Sequence, residues 1–313
     1  MPSKLNILIT GSSGFIGKNL VEYLSRSPHC GKYKLFYPAH KELELLDADA
    51  VTSFIKSNRI GLIIHTASVG GSRKTNYDEH NPGVFEINMR MFFNLERMLE
   101  KGMRMIFLGS GAEYGRGHFI PKMKEDYFNK FIPADAYGFY KYACSRYIAH
   151  CEDIVNLRLF GVFGKFENYL LRFISNTIVK NLLGLDIVIK QNVYFDYLYI
   201  DDLNRIIEHF INKKPKYKFY NVASGRTVGL ATIADKVNSI SSRPSKVIIK
   251  NSGLNTEYSA DTARLRREIK NFRFTPFDIA LKNLYSWHEQ NLDKIDKDAV
   301  IRDEFIQYCK VKE

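Results

Sequence analysis

The 313-residue sequence predicts an α/β fold: a doubly wound, parallel-sheet Rossmann domain with a smaller, interleaved C-terminal substrate domain. Three observations lead there. An apolar run, "NILITGSSGFIGKNL" (Asn6 to Leu20), breaks into three glycines and resumes with helical spacing. Apolar β-rich runs then alternate with helix-period stretches through the first half of the chain, the pattern of right-handed βαβ units in a parallel sheet. The hydrophobic content, 45%, is enough for a buried core.

Taken in order, Leu5 to Thr10 is an apolar strand and Phe15 to Leu24 an amphipathic helix. Lys34 to Tyr37 is a short strand, Ala48 to Lys56 a helix, and Gly61 to Ala67 (GLIIHTA) a strand buried on both faces, as parallel sheets require. Val84 to Glu100 reads as a long helix, Arg104 to Gly109 as the next strand, Tyr137 to His150 as a helix and Asp153 to Phe160 as a further strand. Past Gly164 the rhythm loosens. A helix is expected at Leu170 to Leu182, strands at Ile187 to Ile189 and Tyr197 to Tyr199, a helix at Asp202 to Phe210 and one more sheet strand at Phe219 to Ser224. Helices at Leu230 to Ile240 and Phe277 to Gln290 flank a strand at Lys246 to Lys250, and the charged tail after Leu292 reads as a surface helix. The expected division is 1–165 for the nucleotide-binding domain, with strands returning near 190–225, and 166–313 mainly for substrate.

The net charge of +12 favours anionic partners such as a diphosphate-bearing small molecule, although the excess is spread along the chain as solvated lysine and arginine. No basic–aromatic cluster points to nucleic acid. No stretch approaches the roughly 20 apolar residues of a membrane helix, and the chain opens on a strand rather than a signal peptide, so a cytoplasmic protein is expected. Four cysteines without a C-x-x-C pair suggest reduced thiols and no metal site.

The glycine turn carries the first chemistry. Gly11, Gly14 and Gly17 stand between a strand and a helix. In that setting the first permits a tight turn, the second lets backbone N–H groups approach a pyrophosphate, and the third lets helix and strand pack closely. The carboxylate that usually reads an adenosine ribose is missing after the second strand, where His40 and Lys41 stand. That favours NADP, with NAD as the alternative if Glu42 takes the reading role.

The second constellation is "YGFYK", in which Tyr137 and Lys141 are spaced i, i+4 and share a helix face. An ammonium beside a phenol favours the phenolate, suiting Tyr137 to proton exchange with a sugar oxygen. Ser110, at the end of the strand "RMIFLGS", can bond the same oxygen from the crevice edge of the sheet.

Together, T-G-x-x-G-x-x-G, the strand-end serine and Tyr-x-x-x-Lys resemble the extended short-chain dehydrogenase/reductases, the NAD-dependent epimerase/dehydratase family acting on nucleotide sugars. The strings "KELELLDADAV", "TASVGGSRKTN", "EINMRMFFN", "LGSGAEYG" and "YLYIDDL" are similar to its GDP-fucose synthase-like branch. The resemblance implies that Gly11, Ser13, Gly14, Phe15, Ile16 and Gly17 meet the pyrophosphate and Asp47 the adenine. It implies that Thr66, Ala67 and Ser68 line the cofactor, with Asn88 behind the site, Leu159 and Phe160 near the nicotinamide, and Lys141 on the ribose. A homodimer through a four-helix bundle is also implied, with Tyr140, Ala143, Cys144, Tyr147 and Ile148 of the tyrosine helix available for it. The substrate side is assigned to Gly70, Gly71, Ala112, Glu113, Asn168, Arg172, Gln191 and Phe195.

Departures from the branch sharpen the expectation. Ala112 stands where a proton-shuttling cysteine is usual and Asn168 aligns with the histidine, so epimerisation at carbons 3 and 5 is not expected. Glu113 lies one position beyond a dehydratase acid and is expected in a structural or polar-contact role. Phe195 replaces a phosphate-binding arginine, and Gly161 an asparagine, leaving Arg172, Lys190 and Lys180 as candidate phosphate contacts with Asn168 and Gln191 as neutral donors. The expected activity is NADPH-linked reduction at C4 of a nucleotide-diphosphate 4-keto sugar, 6-deoxy by resemblance. The alternatives are a 4-epimerase or 4-dehydrogenase with bound NAD, and a non-catalytic dinucleotide-binding partner protein.

Overall fold

The structure is a computed structural model that describes residues 4–78 and 81–312. The first half runs β1 (Leu5–Thr10), α1 (Phe15–Arg26), β2 (Tyr33–Phe36), α2 (Ala48–Ser57), β3 (Leu62–His65), α3 (Pro82–Glu96), β4 (Arg104–Ser110), α4 (Ala136–Ile148) and β5 (Ile154–Leu159). The second runs β6 (Gly161–Phe163), α5 (Phe173–Leu182), β7 (Ile187–Asn192), β8 (Tyr194–Tyr199), α6 (Ile200–Asn212), β9 (Phe219–Val222), β10 (Thr227–Gly229) and α7 (Leu230–Ile240). It closes with β11 (Val247–Leu254), α8 (Ala263–Glu268), α9 (Phe277–Gln290), α10 (Lys297–Ile301) and α11 (Glu304–Gln307).

Six strands form a parallel sheet in the order β2-β1-β3-β4-β5-β9. The order reverses at β1, so a crevice opens between the C-terminal ends of β1 and β3. Residue alternation along each strand feeds two cores. Ile7 and Ile9 face Leu20 and Leu24 of α1 and Leu203, Ile207 and Phe210 of α6. Leu8 faces the other way, onto Val51 and Ile55 of α2, Phe92 and Leu95 of α3, and Tyr140, Cys144 and Ile148 of α4. A third core, around Ile178, Ile187, Ile233 and Leu281, unites α5, β7, α7 and α9.

β9 returns to the sheet edge against β5, while β8 lies between β6 and β10 in a separate three-stranded sheet. The helix expected at 84–100 begins at Pro82, because the Asn81 side chain caps it and proline takes the first turn, and it ends at Glu96. β7 extends to Asn192 because it pairs in parallel with β11. The tail corrects the expectation of a surface helix. It forms two short helices on the third core: Val300 and Phe305 are buried, and Asp303 pairs with Lys180 at 2.7 Å. Its scattered apolar residues are packing contacts. Among the described residues no helix is long and apolar enough to cross a membrane.

Candidate active site

The glycine turn opens on the crevice. Gly11 adopts φ +68, and a Cβ there would lie 2.6 Å from the backbone nitrogen of Ala67. A Cβ on Gly17 would fall 2.2 Å from the Gly11 carbonyl oxygen, so α1 sits against the turn at a distance only glycine permits. The helix starts at Gly14 with no side-chain cap and no acidic residue in its first turn. Its leading N–H groups therefore remain for an anion, reinforced by the helix dipole. Ser13 and Gly14 are exposed there.

Around the ribose region, His40 is exposed and pairs with Glu44 at 3.0 Å, and Lys41 is exposed. Glu42 is tied to its own turn by the Ala39 N–H, which donates to it at 2.7 Å. Asp47, expected at the adenine, has one oxygen engaged as the cap of α2, accepting from the N–H groups of Asp49 and Ala50 at 2.9 Å each.

The loop after β3 is stitched to β1. Thr66 Oγ1 donates to the Thr10 carbonyl at 2.6 Å, the Ala67 N–H donates to Thr10 Oγ1 at 3.3 Å, and Ser68 Oγ meets the Tyr140 hydroxyl at 2.7 Å. Asn88 is a strut rather than a cofactor contact: its buried amide exchanges bonds with the Val69 backbone at 3.0 and 2.9 Å and donates to the Val84 carbonyl at 2.7 Å. Gly70 and Gly71 both take φ +80. A Cβ on Gly71 would fall 2.5 Å from the Tyr137 ring, so this loop lies flat against that phenol.

Ser110 ends β4. Its Oγ accepts from the Ala112 N–H at 3.1 Å, while Glu113 Oε1 accepts from the Ser110 N–H at 3.0 Å, a reciprocal capping box on the turn Gly111–Tyr114. Glu113 is fully buried and cannot meet substrate, which corrects its assignment to the substrate side. Its other oxygen accepts from Arg158 Nε at 2.6 Å and Ser145 Oγ at 2.5 Å. Sealed from solvent by this ion pair, Glu113 positions the serine. Ala112 is likewise buried and presents no side chain to the crevice.

Tyr137 stands on α4, whose start is capped by Asp135 accepting from the Gly138 N–H at 2.7 Å. The Ser110 hydroxyl is among the groups that act on the Tyr137 phenol. Burial pushes the phenol above its ordinary value, opposed by the guanidinium groups of Arg116 and Arg172 and by the Ser110 hydroxyl. The charges of two arginines thus act on the phenol as well. Lys141 Nζ donates to the Leu108 carbonyl at 2.5 Å and lies 5.8 Å from the Tyr137 ring centroid. Burial lowers its ammonium to about 8, since a desolvated cation loses water's stabilisation. Leu159 and Phe160 close the floor as buried side chains.

On the opposite wall, Arg172 is exposed at the start of α5 and its charge reaches Tyr137. Asn168 is exposed, with its Oδ1 accepting from the Leu170 N–H at 2.9 Å. Phe195 gives aromatic support, 6.0 Å from the Tyr258 ring. Gln191 is not a substrate contact: its amide donates to the Ser252 and Lys312 carbonyls at 3.1 and 3.0 Å and accepts from the Lys312 N–H at 2.8 Å, holding the tail. Lys180, buried against Asp303, is likewise unavailable to a phosphate.

Two further groups reach the site without having been singled out. Arg116 sits 3.5 Å over the Tyr77 ring and 3.4 Å from Asp135. The signal for it was a cation in "YGRG", just after the serine turn. Tyr258 brings a second phenol to the serine turn, where a Cβ on Gly111 would fall 2.4 Å from its hydroxyl oxygen. No local pattern marks it.

The model of the NAD dependent epimerase/dehydratase family matches residues 7–223. An ADP-L-glycero-D-manno-heptose-6-epimerase of Brachyspira hyodysenteriae is 24% identical over 75% of this chain and 80% of its own length. Among solved structures, a GDP-mannoheptose C4 reductase from Campylobacter jejuni with NADP bound superposes with a TM-score of 0.75 at 20% identity, covering 92% of this chain and 99% of that one. A UDP-glucose 4-epimerase from Thermotoga maritima with UDP-glucose gives 0.77 at 18% identity, covering 92% and 100%.

Proposed function

The chain belongs to the NAD dependent epimerase/dehydratase family, and on that premise we propose that it reduces the C4 ketone of a nucleotide-diphosphate 4-keto sugar with NADPH. The observation that supports this most is the meeting of Ser110 and Tyr137 at the crevice end of β4, with Arg116 and Arg172 acting on the phenol. Ala112 and the sealed Glu113 leave the crevice without the additional acid and base that ring epimerisation at carbons 3 and 5 needs.

The uncapped start of α1 and the close Gly11–Gly17 contact suit a dinucleotide diphosphate. When bound, NADPH supplies the hydride. Ser110 donates a hydrogen bond to the ketone oxygen, and Tyr137 passes its proton to that oxygen as the carbon gains hydride, so C=O becomes CH–OH and a phenolate remains. Arg116 and Arg172 stabilise that phenolate until it is reprotonated from solvent. Lys141 holds the nicotinamide ribose, and exposed Lys41 meets a 2′-phosphate, which supports NADP over NAD. The relatives that act on heptoses widen the sugar beyond 6-deoxyhexoses.

The test is a panel of GDP-, ADP-, CDP-, dTDP- and UDP-linked 4-keto sugars, hexose and heptose, followed by NADPH absorbance. NADPH consumed in step with product supports the reductase; interconversion of the corresponding 4-hydroxy nucleotide sugars without net NADPH use marks a 4-epimerase. Tyr137→Phe should bind NADPH as the wild type does yet lose turnover by about 10²–10⁴. A near wild-type rate for that variant would overturn the proton-transfer assignment.

A further inference from the structure

We propose that the edge of the six-stranded sheet opposite the crevice seats the protein on a bilayer surface rich in anionic phospholipid. All six strands are parallel, so the links that enter them reach one edge while the crevice opens at the other. Lys4 immediately precedes β1 and Lys32 immediately precedes β2; Arg59 comes shortly before β3 and Lys101 shortly before β4. The link from α6 into β9, KKPKYK, adds Lys213, Lys214 and Lys216. All of these are exposed, and among the described residues none is held in an ion pair. Against them stand Glu100, Glu152 and Asp153. Positive charge that is spread along the chain is thus gathered in space, because parallel register lines up links that are far apart in sequence.

Helix dipoles do not account for the gathering. Arg26 and Lys56 sit in the last turns of α1 and α2, where a cation offsets the terminal carbonyls, but that effect fades within the turn. Lys4, Lys32, Lys101, Lys214 and Lys216 stand beyond the last turn of any α-helix. The chemistry selects a lipid surface. All but Arg59 of the strand-entry cations are lysine, a compact hydrated point charge that meets phosphate without fixed geometry. Binding of nucleic acid draws instead on arginine forks and stacking aromatics. Six strands spaced about 4.8 Å apart make a strip roughly 24 Å wide, broad enough for many headgroups at once, and each lysine near an anionic surface adds to the attraction. Tyr217, 44% exposed, stands between Lys216 and Lys218, and a tyrosine so placed settles at the headgroup level. Seated by this edge, the protein holds its crevice about 20 Å off the surface, the length of a strand such as β1, and open to water.

The experiment is co-sedimentation of the full chain with vesicles of mixed phosphatidylglycerol and phosphatidylcholine, and of phosphatidylcholine alone. It is run at about 0.1 M and about 1 M salt, between which the Debye length falls from about 10 to about 3 Å. The wild type should bind the anionic vesicles, leave phosphatidylcholine alone, and come off at the higher salt. The triple variant Lys213→Glu, Lys214→Glu, Lys216→Glu should partition about 10²-fold less, with NADPH affinity unchanged in titration because the crevice lies at the other edge. Lys246→Glu, Lys250→Glu and Lys282→Glu together make the same change in net charge on exposed positions elsewhere, and should weaken partitioning by less than about threefold. Should the first triple fail to fold, the milder pair Lys4→Gln, Lys32→Gln decides, with an expected loss of about tenfold. Equal losses in the two triples, or no loss in the pair, overturn the proposal. So does a wild type that ignores the anionic vesicles, binds both kinds alike, or prefers a short DNA duplex to them at the lower salt. No sugar enters the measurement, so its outcome is independent of the ketone reduction.

Discussion

At the scale of single residues, the placement of Ser110 depends on a charge that never meets solvent. Glu113 and Arg158 are 0% and 1% exposed, and the guanidinium also lies over the Phe128 ring at 4.3 Å. Two buried ions hold each other at a large desolvation cost, so removing one leaves the other uncompensated. Glu113→Ala is expected to lower unfolding free energy by about 3–5 kcal/mol in urea titrations. It also takes away the acceptor of the Ser110 N–H, so turnover should fall even at temperatures where the variant stays folded. A variant as stable as the wild type would show that Arg158 finds another partner. "LGSGAEYG" announced the serine, but it could not announce that Glu113 is turned inward, because Arg158 and Asn156 come from the neighbouring strand β5.

At the scale of elements, α1 and α4 each do two things with different faces. On α4, Tyr137 turns to the crevice while Tyr140, Cys144 and Ile148 fill the core, which corrects their expected availability for a partner; Phe139 and Tyr147 are the apolar residues left exposed. On α1, Leu20 and Leu24 fix the helix to the sheet, and Gly17 lets its first turn rest on the Gly11 carbonyl. Gly17→Ala must push the turn apart, since its Cβ would lie 2.2 Å from that oxygen. Isothermal titration should show NADPH affinity reduced by about tenfold or more, with unfolding still cooperative. Gly31→Ala, whose Cβ would meet nothing within 4 Å, serves as the control and should bind normally. Equal affinities in the two variants would remove the turn from the binding site. The glycine spacing was legible because strand, turn and helix are contiguous.

At the scale of the whole molecule, the two halves are interleaved: β9 completes the first sheet, α6 packs beside α1, and the tail seals the third core. On the outer surface, α3 and α4 present the exposed rings of Phe93, Phe139 and Tyr147, with Phe85 stacked on Phe139 at 4.8 Å and Phe93 meeting Tyr147 at 5.0 Å. An apolar face of this kind suits a second copy of the chain, and the homodimer remains our proposal. Paired Phe93→Glu and Tyr147→Glu substitutions should yield a folded monomer in light scattering where the wild type is a dimer. A wild type that is already monomeric sinks the pairing.

By itself, the sequence determined the alternation of strands and helices, the glycine turn and the serine, tyrosine and lysine of the candidate site. Each is a pattern among neighbours in the chain, and strand alternation, helical period and turn sterics act over that range. Only the tertiary structure decided that the charges of Arg116 and Arg172 act on Tyr137, that Glu113 is sealed, that Gln191 holds the tail, and that Tyr258 reaches the turn after Ser110. The physical reason is that these outcomes depend on burial and on the register between distant strands. A hydroxyl 148 positions further along becomes a neighbour of Ser110 only once Gly111 has left room for it.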